Sequence, residues 1–148
     1  MSIPIKSAAD IEGMRVAGRL ASEVLDMLTP HVVAGVATEQ LDKLAHDHIV
    51  NVQGAVPAPL NYAPPGYTPY PKSICTSINH QVCHGIPNDR PLKNGDIVNI
   101  DVTVIKDGWH GDTSRMFIVG NGSIAARRLV QITYEAMWKG IAKVKPGA

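Results

Sequence analysis

Apolar residues recur at helical spacing in three separate segments of the chain. In the first segment, residues 7–32, they occupy positions Ile11, Met14, Ala17, Leu20, Val24 and Leu28. This period is typical of an amphipathic helix. Ser7 and Asp10 have the spacing of a capping box at its start, and Pro30 marks its end.

Two further segments carry the same helical pattern. Residues 37–55 predict a second helix with Thr38 as its N-cap and Gly54 beyond its end. Residues 123–144 predict a third helix near the end of the chain.

Between residues 73 and 120 the pattern alternates with a period of two, which predicts strands. The longer stretch, GDIVNIDVTVIKDGWHGDTSRMFIVG, is typical of a hairpin whose turn is Asp107-Gly108. The shorter stretch, SICTSINHQVCHGIP, predicts a hairpin around Asn79-His80, with Ile78 opposite Gln81. Helices and antiparallel strands in separate blocks predict the α+β class.

The segment VPAPLNYAPPGYTPYPKS, residues 56–73, has a different composition. It holds six prolines in eighteen residues, which exclude a helix, and it contains the three tyrosines Tyr62, Tyr67 and Tyr70. Because linkers rarely carry so many aromatic residues, we expect an ordered loop that lines a surface.

Composition excludes several classes of protein. The 148 residues are 45% apolar and carry 14 basic against 13 acidic side chains, a net charge of +1. This balance does not favour a nucleic-acid or membrane-surface partner. We see no membrane-length apolar run or secretory signal, and two cysteines do not make a disulfide scaffold, so a cytoplasmic protein is expected.

Two aspartates in the long hairpin stand out, because carboxylates are depleted in strands and costly to bury unpaired. With an even-length turn, Asp101 and Asp112 fall on the same face of neighbouring strands. Like charges so close need a cation or a shared proton between them. The alternative is that one carboxylate bonds to backbone and the other caps a turn.

The short hairpin places Cys75 opposite His84 and leaves Cys83 on the other face, so no disulfide between the cysteines is expected. Cys75 with His84 is compatible with a thiol nucleophile, with a pocket wall, or with a buried small cysteine. A zinc site of His80, Cys83 and His84 is disfavoured, because adjacent strand residues point to opposite faces.

Three stretches together resemble the type I methionine aminopeptidases: DIEGMRVAGRLASEVL, PKSICTSINHQVCHGIP and GDIVNIDVTVIKDGWHGDTSRMFIVG. The resemblance implies a pita-bread fold, in which antiparallel hairpins are covered by helices. It also implies that residues 1–148 form the N-terminal half of a single catalytic domain, with the second half absent from this chain.

The resemblance further implies a centre of two divalent metal ions (Co, Mn, Fe, Zn or Ni) held by five side chains. Asp101 and Asp112 match two of those ligands, and His84 matches a catalytic histidine that hydrogen-bonds the substrate. The methionine pocket is expected at Pro59, Tyr62, Tyr70 and Cys75. The loop between Tyr62 and Pro71 is longer than expected for the family, so Tyr67 is an alternative to Tyr70. A monovalent cation near Asn79 is also implied.

The implied activity is removal of the N-terminal methionine from nascent proteins and peptides. The expected partners are those polypeptides and a complementary C-terminal half, with no nucleic acid and no membrane. Three alternatives remain at this point: a related Xaa-Pro peptidase, a non-catalytic pita-bread binding protein, and a thiol hydrolase using Cys75 and His84.

Overall fold

The computed structural model describes residues 3–148, which form three α-helices and one four-stranded antiparallel sheet. The helices are α1 (Ala8–Leu28), α2 (Thr38–Asp47) and α3 (Ile124–Ile141), and the strands are β1 (Val56–Pro57), β2 (Cys75–Ile78), β3 (Ile97–Lys106) and β4 (Trp109–Ile118). Within residues 3–148, no helix combines the length and apolar character needed to cross a bilayer.

β3 is the strand to which all the others pair. β4 pairs with one of its edges from Ile97↔Ile118 to Lys106↔Trp109, which confirms the long hairpin and its two-residue turn. Asp107 and Gly108 both have positive φ, 51° and 83°, as a type I′ turn requires. β1 and β2 both pair with the other edge of β3, so the chain between them leaves that edge and returns to it.

One face of the sheet forms the core. Val98, Ile100, Val102 and Val104 alternate along β3 and are fully buried. Burial of each such side chain stabilises the fold by roughly 1.5–3 kcal/mol. α1 lies so close to β4 that a Cβ on Gly111 would collide with the carbonyl oxygen of Ala17. The opposite face of the sheet is not packed in this core and can therefore carry a functional site.

α1 begins as its sequence predicts. The backbone N–H of Ser7 donates to a carboxylate oxygen of Asp10 at 2.8 Å, and the N–H of Asp10 donates to the Ser7 hydroxyl at 3.3 Å. The helix ends at Leu28, just before Pro30. The predicted apolar side is buried only from Ala17 onward, because Ile11 and Met14 lie on the exposed first turns.

The N-cap predicted for α2 is wrong by one residue. Ala37 is the N-cap, and its N–H donates to the side-chain oxygen of Gln40 at 3.0 Å. Thr38 is the first helical residue, and its hydroxyl exchanges hydrogen bonds with the backbone of Asn88. The Thr38 hydroxyl, which local spacing predicted as the cap, thus bonds instead to a residue fifty positions away.

The predicted short hairpin is confirmed at its turn but not as a pair of strands: the N–H of Gln81 donates to the carbonyl of Ile78 at 3.1 Å, and residues 79–96 contain no strand. β2 pairs with β3, so the neighbour of Cys75 in the ladder is Asp101 and not His84. After the turn at Asn79, the N–H of Ile78 donates to the side chain of Gln81 at 2.9 Å. β3 pairs with one edge of β2 at four positions, and the segment after the turn returns to the other edge, where the carbonyl of Gly85 accepts from the N–H of Thr76 at 2.8 Å.

α3 confirms the third predicted helix, and Ser123 caps it by accepting from the N–H of Ala126 at 3.1 Å. None of its residues is buried within the described part of the chain. Its exposed apolar side chains are Ile124, Leu129, Ile132, Tyr134, Met137, Trp138 and Ile141.

Candidate metal and substrate site

A cavity of about 690 Å³ opens over the polar face of the sheet. Its floor comes from the strands, one wall comes from the proline-rich loop between β1 and β2, and His84 enters from the segment after β2. The residues predicted for the site all line this cavity: Pro59, Tyr62, Tyr70, Cys75, His84, Asp101 and Asp112. The fold therefore brings together residues that are up to 53 positions apart in sequence.

Asp101 and Asp112 occupy diagonal positions on the cavity face. Asp112 pairs directly with Thr103, and Asp101 lies two residues before Thr103 on the same strand. Burial raises the pKa of the Asp101 carboxyl, and the charge of Asp112 raises it further, while His84 opposes the shift. Within residues 3–148, no Lys or Arg forms an ion pair with either carboxylate.

These two carboxylates fit a divalent cation as two of its ligands. Hard oxygen donors on one face suit ions such as Mn²⁺, and with imidazole the choice extends to Fe, Co and Zn. Across residues 3–148, however, no three His, Cys, Asp or Glu side chains form a metal-binding group. Of the described residues, Asp101 and Asp112 are thus two candidate ligands, and His80, Cys83 and His84 are not grouped as a zinc site requires.

Cys75 and Tyr70 form the inner end of the cavity. Cys75 is buried, and burial raises the pKa of its thiol, so the thiol is protonated at neutral pH. The Tyr70 hydroxyl lies 3.2 Å from the carbonyl oxygen of Ile74 and 3.1 Å from that of Gly85. Burial also raises the pKa of this hydroxyl, so it remains a donor. Both residues have the properties of a pocket wall.

Asp42 of α2 fixes the entry of the chain into β2. Its buried carboxylate accepts from the N–H groups of Ser73 at 2.8 Å and Ile74 at 3.1 Å. His46, one helical turn later, lies 2.8 Å from the Ser73 hydroxyl. The position of Cys75 therefore depends on a helix that has no residue in the cavity.

His84 has a positive φ of 54°, which is uncommon for a residue other than glycine. The next residue holds this conformation. The carbonyl of Gly85 accepts from the N–H of Thr76 at 2.8 Å, and the N–H of Gly85 donates to the Ser77 hydroxyl at 3.1 Å. A Cβ on Gly85 would collide with the Thr76 carbonyl oxygen. Strained backbone held by its neighbours is typical of functional positions.

The proline-rich loop is ordered, as predicted. The N–H of Asn61 donates to the carbonyl of Tyr70 at 2.8 Å, and the N–H of Tyr70 donates to the carbonyl of Tyr62 at 2.9 Å. Tyr62 and Tyr67 also line the cavity and are 65% and 75% exposed, respectively, whereas Tyr70 is half-buried. Tyr70 therefore lies at the inner wall and Tyr67 near the opening.

His110 also lines the cavity and was not among the site residues predicted from the sequence. His110 pairs with Ile105 and lies two residues before Asp112, so strand alternation alone puts it on the same face. The two cysteines are free, as predicted, with Cys83 exposed.

Asn79 lies beside a second, smaller cavity of about 240 Å³, between the edge of the sheet and α3. Its side-chain amide is already engaged, donating to Asp96 at 2.8 Å and accepting from the N–H of Ile97 at 3.0 Å. A monovalent cation here would therefore have to use backbone carbonyl oxygens, and it stays a prediction.

Comparison with known proteins gives a match to metallopeptidase family M24 over residues 12–148. The chain belongs to this family. It is 60% identical over its whole length to a methionine aminopeptidase from Rickettsia prowazekii, of which it spans 55%.

The solved structures agree with this membership of family M24. The crystal structure of methionine aminopeptidase from Rickettsia prowazekii matches with a TM-score of 0.93 and 59% identity, over 99% of this chain and 57% of that one. An Xaa-Pro dipeptidase from Bacillus anthracis matches with a TM-score of 0.79 and 20% identity, over 97% and 38%, which shows the fold alone. The predicted α+β, pita-bread fold is thereby confirmed.

Proposed function

We propose that this chain supplies the substrate pocket and two metal ligands of an enzyme that removes N-terminal methionine from nascent proteins and peptides. The observation that carries the proposal is the position of Asp101 and Asp112 on one cavity face, beside His84 and the tyrosine-lined wall. The similarity to methionine aminopeptidases supports it.

The cofactor in this proposal is a pair of divalent metal ions, drawn from Co, Mn, Fe, Zn and Ni. When bound, the metals supply Lewis acidity and a nucleophile at neutral pH. Asp101 and Asp112 hold them and neutralise part of their charge. His84, at the cavity surface, hydrogen-bonds the substrate amide and supports transfer of a proton there.

The pocket chemistry suits a methionine side chain. Pro59, Tyr62, Tyr70 and Cys75 provide apolar and aromatic surface at the cavity wall. A flexible, polarisable thioether makes favourable contacts with aromatic rings. In this proposal Cys75 contacts the methionine side chain as a protonated wall residue. Because burial raises the pKa of its thiol, Cys75 is a poor candidate for the nucleophile of a thiol hydrolase.

We further propose that residues 1–148 are the N-terminal half of one catalytic domain. Two observations support this division. Among residues 3–148, no three His, Cys, Asp or Glu side chains are grouped so as to hold a metal ion, and α3 presents a row of apolar residues to solvent. The chain also spans about half the length of the relatives it matches.

The test compares the 148-residue chain alone with the same chain co-expressed with its C-terminal complement. Alone, with excess divalent metal, it should hydrolyse no methionyl peptide and should sediment as aggregates, because apolar surface is uncovered. With the complement, metal binding and hydrolysis should appear together and a chelator should abolish hydrolysis. A soluble, active 148-residue monomer, or activity that resists chelation, would contradict the proposal.

A further inference from the structure

The tip of the proline-rich loop is a built feature of the cavity. The N–H of Tyr67 donates to the carbonyl of Pro64 at 3.0 Å, which closes a turn with Pro65 and Gly66 at its centre. Gly66 has a φ of 86°, as the third position of a type II turn requires, and proline is favoured at the second. The direction in which Tyr67 leaves the turn is therefore fixed by the backbone.

The base of the same loop is fixed as well. Two backbone hydrogen bonds link Tyr70 to Asn61 and Tyr62, so the residues between them form a closed excursion from the wall. Five residues of this excursion and its base line the same cavity as the carboxylates: Tyr62, Pro64, Tyr67, Thr68 and Tyr70. The excursion therefore extends the wall of the site.

Exposure differs between the inner wall of the cavity and this tip. Cys75 is 7% exposed, whereas Tyr67 is 75% exposed, the highest of the cavity's tyrosines. An exposed ring on a rigid turn gains little from the fold but offers a ready contact surface, since few degrees of freedom remain to be lost on binding. Tyr67 is thus arranged to contact something that passes the cavity opening.

Under the proposed function, the molecule at the cavity opening is a peptide substrate. A peptide with its first side chain against Cys75 and Tyr70 has its first peptide bond near the carboxylates and His84. Each further residue of an extended chain advances by about 3.3 Å toward the opening. Residues that follow the first peptide bond therefore extend toward the exposed end of the wall, where Tyr67 lies.

We propose that Tyr67, with Pro64, is a specificity-determining contact for the third and following residues of the peptide substrate, where it favours apolar side chains. This inference rests on the proposed function. It predicts that Tyr67 affects long substrates and leaves short ones unchanged.

The experiment uses the complete, metal-loaded enzyme of which this chain is the N-terminal half. Two substrates are compared, a methionyl amide with a small leaving group and a methionyl tetrapeptide with leucine at its third position. Tyr67→Ala should raise KM for the tetrapeptide roughly two- to tenfold, the range expected for loss of one aromatic packing contact, with kcat unchanged. KM for the amide should not change.

Tyr67→Phe is the matched control, because it keeps the ring and loses only the hydroxyl group. It should retain the tetrapeptide KM of the unmodified enzyme. An equal KM change for both substrates, or none for either, would overturn the role of Tyr67 and leave the proposed function standing. If the unmodified enzyme hydrolyses neither substrate, the proposed function itself fails. Circular dichroism of Tyr67→Ala checks that the fold is intact, which the exposure of this side chain predicts.

Discussion

The direct partner of Asp112 across the hairpin is Thr103, not Asp101. The two carboxylates therefore lie on one face at diagonal positions, which leaves space for a cation between them and avoids head-on contact of like charges. Burial and the charge of Asp112 both raise the pKa of Asp101, so the pair is electrostatically unfavourable as long as nothing positive neutralises it.

Replacing either carboxylate should remove the metals. In the complete enzyme, Asp101→Asn and Asp112→Asn should each lower the metal-to-protein ratio and abolish methionyl-peptide hydrolysis, because a neutral amide does not balance the cation charge. Elemental analysis and a peptide assay measure the two effects. Asp107→Asn is the control, since asparagine tolerates the positive φ of this turn position in the same hairpin. Metal ratios equal to that of the control in both variants would refute the assignment.

His84 should act on turnover and not on metal binding. His84→Asn keeps a residue type that accepts the φ of 54° and removes the imidazole. We expect kcat to fall by about 10²–10⁴-fold with the metal content retained. His80→Asn, four residues earlier on the exposed turn, should change neither quantity. Loss of metal from a folded His84→Asn protein would instead make His84 a ligand.

The two cysteines should differ in reactivity. At neutral pH, iodoacetamide should modify exposed Cys83 rapidly and Cys75 slowly, because Cys75 is buried and its thiol has a raised pKa. The rate at Cys75 should increase as the pH rises, since a raised pKa moves thiolate formation to higher pH. Mass spectrometry of a Cys83→Ser protein isolates the slow site. Modification of Cys75 as fast as that of Cys83 would contradict the buried, protonated state.

The same assignment predicts the effect of Cys75→Ser. A wall residue can exchange sulfur for oxygen with substantial activity retained and an altered preference for the first side chain. Relative kcat/KM for methionyl, norleucyl and leucyl amides measures this preference. A loss as complete as that of Asp101→Asn, with metals still bound, would restore the thiol-nucleophile interpretation.

Asp42→Ala should destabilise the fold although Asp42 lies outside the cavity. The change leaves the buried N–H groups of Ser73 and Ile74 without their acceptor, which costs roughly 2–5 kcal/mol. Asp47→Ala, at the exposed end of the same helix, should cost little. Urea denaturation of the complete enzyme, followed by tryptophan fluorescence, compares the two variants. Equal midpoints would mean that the Asp42 bonds contribute no net stability.

Local patterns predicted the elements whose partners are local. The capping box of Ser7 and Asp10, the Asp107-Gly108 turn and the shared face of Asp101 and Asp112 depend on residues within about a dozen positions. The short hairpin kept its predicted turn, since the N–H of Gln81 donates to the carbonyl of Ile78, but the ladder partner of Cys75 is the distant Asp101 and not His84. Thr38 failed as a cap because its hydroxyl bonds to the distant Asn88.

The candidate site shows the same division. Cys75 and His84 do reach one cavity, but by separate routes: one through the ladder with Asp101, the other through the strained backbone before Gly85. Neither route follows from spacing. His110, by contrast, was predictable, because it alternates with Asp112 along β4 and therefore lies on the same face.

The two-residue turn at the end of the long hairpin makes the site sensitive to the parity of insertions and deletions. If the turn kept two residues, one extra residue between Lys106 and Trp109 would slip β4 by one position against β3, turning Asp112 toward α1 and Gly111 toward the cavity. The carboxylate would then meet the Ala17 carbonyl at a contact that does not admit even a methyl group. Two extra residues would restore the sides. Among natural variants of this hairpin, turn lengths should therefore differ by even numbers, and an odd difference should be accompanied by a bulge that restores the phase.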